Sequence, residues 1–337
     1  MSKRVSVRDV AAAAGVAVGS VSRVLNDSGY ASQSLRRRVL EAVEQLGYEP
    51  DFTARQLRTG RSKTIGYLLP NIANPFLAAH LSEVERLIQA AGYSLLVGSS
   101  EHPSRDRELI TFFQNQRLEG VIASPNFEYP DTSVCPFTQC RLPVVIVDRE
   151  MGHDFDTVKI DHVDGMRRAT DYLLTLGHRR IALFVSSARL RPGREKLIGY
   201  QAALEAAGVP YDDALVHMPD SWIESSHQRM KQMLTLPAAP TALIALGTRM
   251  LSGALHVAYE AGMRVPRDLS VIGIGTMETL DLMYPPATAL RYNFERSAQI
   301  AVRLMMDRIN GNEPLEPRTV TVPWDLVIGS SCAARSG

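Results

Sequence analysis

From Thr64 onward the chain alternates short apolar, β-branched runs with amphipathic stretches, and few architectures accept that pattern. The runs are TIGYLLP (64–70), YSLLVGS (93–99), GVIAS (120–124) and PVVIVD (143–148), then RRIALFVS (179–186), TALIAL (241–246) and SVIGI (270–274). Nearly continuous apolar strands separated by helices imply βαβ units, whose strands run parallel and are covered on both faces. The runs form two sets, which predicts two doubly wound lobes. Gly92, Gly177, Gly208 and Gly262 each follow an amphipathic run, where a left-handed helix cap favours a residue without Cβ. At 337 residues there is room for one large unit and one small one.

The first 63 residues read differently. Ser6 and Asp9 have capping-box spacing, and Val7, Val10, Ala11 and Ala14 recur at helical intervals until Gly15. A second helix from about Val18 to Leu25 puts Val21, Val24 and Leu25 on one face. A third, from Ser34 to Leu46, turns Leu35, Val39, Val43 and Leu46 inward and Arg36, Arg37 and Arg38 outward, and stops at Gly47. Residues 1–63 hold eleven Lys or Arg against six Asp or Glu, a charge of +5 in a chain of +1, so the remainder is acidic. A basic head suits a polyanion. Two helices joined by a tight glycine turn let the second lie in the DNA major groove while the first braces the backbone, and Arg23 there can pair with guanine through two hydrogen bonds.

Other classes fit poorly. Cys135, Cys140 and Cys332 are odd in number and lack metal-ligand spacing, which suits free thiols. No apolar stretch reaches membrane-spanning length and MSKRVSVRDV lacks a signal-peptide core, so a cytoplasmic protein without a membrane partner is expected. G-x-S-x-G, G-x-x-x-x-G-K-[ST] and H-E-x-x-H are all missing, and the eight histidines are scattered, His178 reading as structural. No enzyme activity, cofactor or metal is predicted.

VSVRDVAAAAGVAVGSVSRVLN (5–26) resembles the head of the lactose/galactose repressor (LacI/GalR) family. The likeness continues through Leu46, Gly47, Tyr48, Pro50, Ala54, Arg55, Leu57, RTGRSKTIGYLLP, NPF (74–76), LEGVIAS (118–124), VDR (147–149), LGHRRIAL (176–183), GYQAALEAAG (199–208) and DLSVIGIG (268–275). It implies an N-terminal all-α helix-turn-helix plus an α/β, two-lobed, periplasmic-binding-protein-like effector domain. The implied parts are a head at 1–48, a hinge helix and linker at 49–62, and an effector domain at 63–337. Its N-lobe would span about 63–161 and 292–322, its C-lobe about 162–291 and 323–337. The implied function is a homodimeric repressor of a carbohydrate or sugar-acid operon, bound to double-stranded operator DNA and controlled by a small effector. Ser6, Val18, Gly19, Ser20, Ser22, Arg23, Asn26, Arg55 and Leu57 match DNA-facing positions. Leu57 would wedge into the minor groove, kinking the duplex to gain contacts. Ala17 stands where the family has a Ser or Thr cap.

Phe76, Ser124, Asp148, Arg149, Asp161, Trp222 and Phe294 match positions around the family's interlobe cleft. The departures are Gly247, Thr248 and Gly275, where the family usually has Asn, Asp and Asp. Arg189, Arg191, Arg194 and Arg249 add positive charge, and Lys196 replaces the family's ligand-gripping Arg. Fewer acids and more bases predict an anionic effector such as a sugar acid or sugar phosphate. Two alternatives remain, a regulator that takes its signal from a protein docked on the N-lobe and a plain solute-binding protein.

Overall fold

The computed structural model describes residues 5–25, 29–48, 61–152, 155–219, 226–247, 249–275, 280–281, 283–311 and 316–335. The chain divides into two compact units, residues 1–62 and 63–337.

The small unit holds α1 (Val7–Ala14), α2 (Val18–Leu25) and α3 (Gln33–Leu46). The Ser6 amide donates to the Asp9 carboxylate at 2.8 Å, which closes the capping box from one side. Gly15, at φ 63°, ends α1, and the amide after it returns to Ala11. Val10, Val21 and Val39, one from each helix, are fully buried and are joined by Ala11, Ala14, Val24 and Ala42. Helix α3 begins before the expected Ser34, because Ser32 is extended and its hydroxyl accepts the Leu35 amide at 3.3 Å.

The large unit contains two six-stranded sheets. The first has the order β11 (Thr319–Val322), β5 (Asp156–Ile160), β4 (Val144–Val147), β3 (Gly120–Ala123), β1 (Thr64–Leu69), β2 (Ser94–Ser99), with every pair parallel. The second runs β12 (Trp324–Val327), β10 (Thr288–Tyr292), β9 (Ser270–Gly275), β8 (Ala242–Leu246), β6 (Ile181–Phe184), β7 (Val216–His217). Its only antiparallel pair among the described residues is β10 with β12. Helices α4 (Pro75–Ala90), α5 (Pro103–Asn115) and α10 (Phe294–Asn310) pack on the first sheet. On the second lie α6 (His162–Thr175), α7 (Arg191–Ala206), α8 (Ser226–Leu234) and α9 (Arg249–Glu260).

All seven anticipated runs are strands, and Gly92, Gly177, Gly208 and Gly262 have φ between 62° and 89°. Strands β5, β7, β10, β11 and β12 were not anticipated. The chain passes between sheets three times: from β5 to α6 at Asp161, from β10 to α10 at Asn293, and from β11 to β12 at Pro323. The Asp161 amide donates to the Val322 carbonyl at 3.0 Å, tying the first crossing to the third. One apolar cluster runs from Ile65, Ile122 and Val158 of the first sheet through Tyr292 and Trp324 to Ile181, Ile244 and Ile272 of the second. Among the described residues no helix is long and apolar enough to cross a membrane.

Candidate functional site

Doubly wound sheets leave a crevice beyond the carboxyl ends of their strands. Phe76 follows β1, Ser124 follows β3, Asp148 and Arg149 follow β4, and Asp161 and His162 follow β5. On the second sheet Arg191 follows β6, Gly247 follows β8, Gly275 ends β9 and Phe294 follows β10. The fold thus gathers residues spread over more than two hundred positions at one end of both sheets.

Asp148 is the centre of this gathering. It sits at φ 55°, buried, with its amide donating to Val158. Its carboxylate accepts from Arg191 Nη1 at 2.8 Å and from His162 Nε2 at 3.0 Å. Trp324 Nε1, which can only donate, bonds His162 Nδ1 at 3.2 Å, so the imidazole carries its proton on Nε2 and points it at Asp148. Burial alone would raise the Asp148 carboxyl, but His162, Arg149 and Arg191 outweigh it and hold the group below its usual range. Burial also pushes the His162 imidazole down to about 4 against the pull of Asp148, so it stays neutral.

Arg191 and Arg194, at the start of α7, reach across to the first lobe. Besides Asp148, Arg191 bonds the Ile160 carbonyl and Glu195, and its backbone amide donates to Glu128 at 2.8 Å. Arg194 Nη2 pairs with Glu128 at 2.8 Å and Glu150 at 2.7 Å. In this structure both arginines stand in interlobe ion pairs, with acids that sequence spacing did not connect to them.

Two other cations differ. Lys196 is 4% exposed; its Nζ donates to the Pro192 carbonyl at 3.1 Å and lies 5.8 Å from the Trp324 ring centroid. Burial draws its pKa down to about 8, and Asp148 opposes the shift. Arg149, 7% exposed, donates to the carbonyls of Pro125 and Asp148. Neither has a carboxylate within 4 Å among the described residues, although Asp148 and Glu128 act on Arg149 at longer range. Beside them Phe76 stacks on Tyr292 (centroids 5.6 Å apart) and meets Phe294 edge-on (4.9 Å), with Trp324 at 6.1 Å from Phe76. Tyr292, Trp324, His162 and Glu128 escaped sequence reasoning; Trp324 carried a usable signal, being one of only two tryptophans.

The remaining candidates are less central. The Asp161 carboxylate caps α6 by accepting the Asp164 amide at 3.0 Å, and buried Ser124 donates its amide to Leu68. Gly247 and Gly275 pack together, a Cβ on Gly275 falling 3.6 Å from the Gly247 backbone. Arg249 is exposed at the start of α9. Trp222 and Thr248 lie outside the described residues, as do Asn26, Arg55 and Leu57 of the DNA-facing set.

In the small unit, α2 turns Val18, Gly19 and Arg23 outward, and Ser20 and Ser22 are half-buried at its flanks. Ser6 is exposed at the start of α1. In place of a capping side chain, the carbonyl of Ala17 accepts the Ser20 amide at 2.8 Å.

Comparison with known proteins agrees with both units. Bacterial regulatory proteins of the lacI family match residues 6–51, and the periplasmic binding protein-like domain matches residues 170–332. The HTH-type transcriptional repressor PurR of Escherichia coli O139:H28 is 30% identical over 339 residues, covering 97% of either chain. The chain belongs to the LacI family. As a LacI-family member it is a ligand-responsive, DNA-binding transcriptional repressor and not an enzyme. Among solved structures, the LacI-family chain is similar to a Lac repressor dimer bound to operator and the anti-inducer ONPF (TM-score 0.85, 25% identity, 98% of this chain and 100% of that one). It is also similar to a CelR–cellobiose complex (TM-score 0.72, 30% identity, 97% and 100%).

Proposed function

We propose that this repressor acts as a homodimer on a pseudo-palindromic operator and is controlled by a small effector whose anionic group seats between Lys196 and Arg149. The observation that carries the reading is the presence of two buried cations without a carboxylate partner at contact distance, beside four aromatic rings. A buried cation costs free energy unless a counter-charge meets it, so an anion entering there gains more than it would in water. The rings cover the apolar face of a sugar acid or sugar phosphate. Ion pairs from Arg191 and Arg194 to the opposite lobe support a closed state that the effector stabilises or opposes, by differential affinity for open and closed forms. The dimer reading draws on the relative described as a Lac repressor dimer.

A second reading is favoured by one observation. The Phe76 and Tyr292 rings lie within 25° of parallel, a geometry that suits a flat heterocycle, and the relatives named PurR agree with a purine-like base.

The test is a thermal-shift screen of the full chain against sugar acids, sugar phosphates, neutral sugars and purine bases, with hits carried into operator binding. The anionic reading expects stabilisation by sugar acids or phosphates that Lys196→Met removes. Stabilisation by neutral sugars alone would overturn it. Stabilisation by purines that survives Lys196→Met would favour the second reading.

A further inference from the structure

Sequence reading leaves the histidines scattered, yet the fold collects two of them with a glutamate on α8 and α9. His256 and Glu260 stand four residues apart on α9 and so share a face. His227 is the second residue of α8. What brings the helices together is Gly253, one turn before His256: a Cβ there would collide with the Ser226 hydroxyl and lie 3.3 Å from the His227 amide nitrogen. Ser226 Oγ also donates to the Arg249 carbonyl at 3.3 Å, closing the same contact.

The result is a compact donor set. His256 Nε2 is 3.2 Å from Glu260 Oε1, and His227 Nε2 is 3.7 Å from Glu260 Oε2. One ligand atom from each residue lies within 4.8 Å of the others, and the two imidazoles stack with centroids 5.5 Å apart. Metal–ligand bonds of about 2.0–2.2 Å in a tetrahedral site separate neighbouring ligand atoms by about 3.3 Å. Both imidazole contacts to Glu260 are close to that spacing, one through each carboxylate oxygen, and small rotations of the carboxylate and of the exposed His256 ring bring one donor atom from each residue onto a shared ion.

The geometry points to a divalent transition-metal site built by His227, His256 and Glu260, with solvent completing the coordination. Two imidazoles and one carboxylate suit Zn²⁺, Co²⁺, Ni²⁺ or Cu²⁺ and not Mg²⁺ or Ca²⁺, which favour all-oxygen cages. Lys231 Nζ lies 3.8 Å from Glu260 Oε2 and is the resident cation that a metal must displace. Imidazole binds metal only when unprotonated, so affinity falls in acid.

Zn²⁺ and Co²⁺ are titrated into untagged, chelator-treated full-length protein by calorimetry and visible absorption. The expected result is one ion per chain, weakened about tenfold or more by His256→Ala or His227→Ala, and unaffected by equal Mg²⁺. Lys231→Ala is expected to tighten binding, an outcome that no folding defect can mimic. Absence of saturable binding, or binding indifferent to all three substitutions, overturns the site.

Discussion

Replacing Asp148 by Asn isolates the charge at the centre of the interlobe network. Asparagine keeps the size of the side chain and tolerates the left-handed backbone at φ 55°, so neither packing nor dihedral strain is disturbed. What is lost is the negative charge and one of the two acceptor oxygens that meet Arg191 and His162 at 2.8 and 3.0 Å. Removing one partner of a buried ion pair costs about 3–5 kcal/mol, and here it leaves Arg191 with the half-buried Glu195 as its remaining ion-pair partner. For a unit of this size each kcal/mol moves Tm by about 2 °C, which predicts a fall of about 6–10 °C. The assay is thermal denaturation with a parallel urea titration whose slope is unchanged. The companion variant is Asp148→Asn with Arg191→Met, which removes both charges. A coupled pair predicts that the double variant recovers most of the loss. A fall below about 1 kcal/mol for Asp148→Asn, or strictly additive losses, would refute the reasoning.

Further outcomes follow from other contacts. His80, buried between Tyr67 (2.7 Å) and Ser297 (3.0 Å), is pushed down by burial to about 4, as His162 is. Unfolded histidine titrates near 6.5, so between pH 6.5 and 4 the unfolded chain binds more protons and stability falls with pH, by about 2 kcal/mol per histidine at pH 5. A urea midpoint unchanged from pH 7 to 5 would contradict this. Gly165→Ala places a Cβ 2.8 Å from Trp324 Cγ, and is expected to cost about 1–3 kcal/mol and shift tryptophan emission; an unaltered spectrum and Tm would argue against that packing. Val21→Ala hollows the small core of the head at a cost of about 2 kcal/mol, so operator binding drops while ligand-induced stabilisation of the large unit persists. Arg23→Ala is expected to lose about 1–3 kcal/mol on specific operator DNA and less on random DNA, read by titration at fixed salt.

The legible part of the fold is the part whose elements are apolar through and through. GVIA and VVIV are buried at every position and announce themselves as central parallel strands. Strand β5 begins with Asp156, a buried acid that becomes tolerable only when Arg308 (2.8 Å) and Arg318 (3.3 Å) arrive from far along the chain. Strands β11 and β12 lie at sheet edges and mix polar with apolar residues, a composition shared with loops, although the β-branched TVTV could have been read as a strand. At the cleft, likeness to relatives located positions but not partners. Arg191 and Arg194 look like free charge until folding sets Glu128, Glu150 and Asp148 opposite them, and no local spacing encodes that meeting.

The three crossings between the sheets bear on how the chain is made. The described helices of the head and the core they share all lie within residues 5–48. Neither sheet of the large unit can close early: β11 completes an edge of the first and β12 an edge of the second, and both are supplied by residues 319–327, after every other described strand. A nascent chain therefore presents the described helices of the head long before it has a two-lobed body, and one short segment makes both lobes whole together. Loss of residues 319–327 would not trim a corner from one lobe but leave both open.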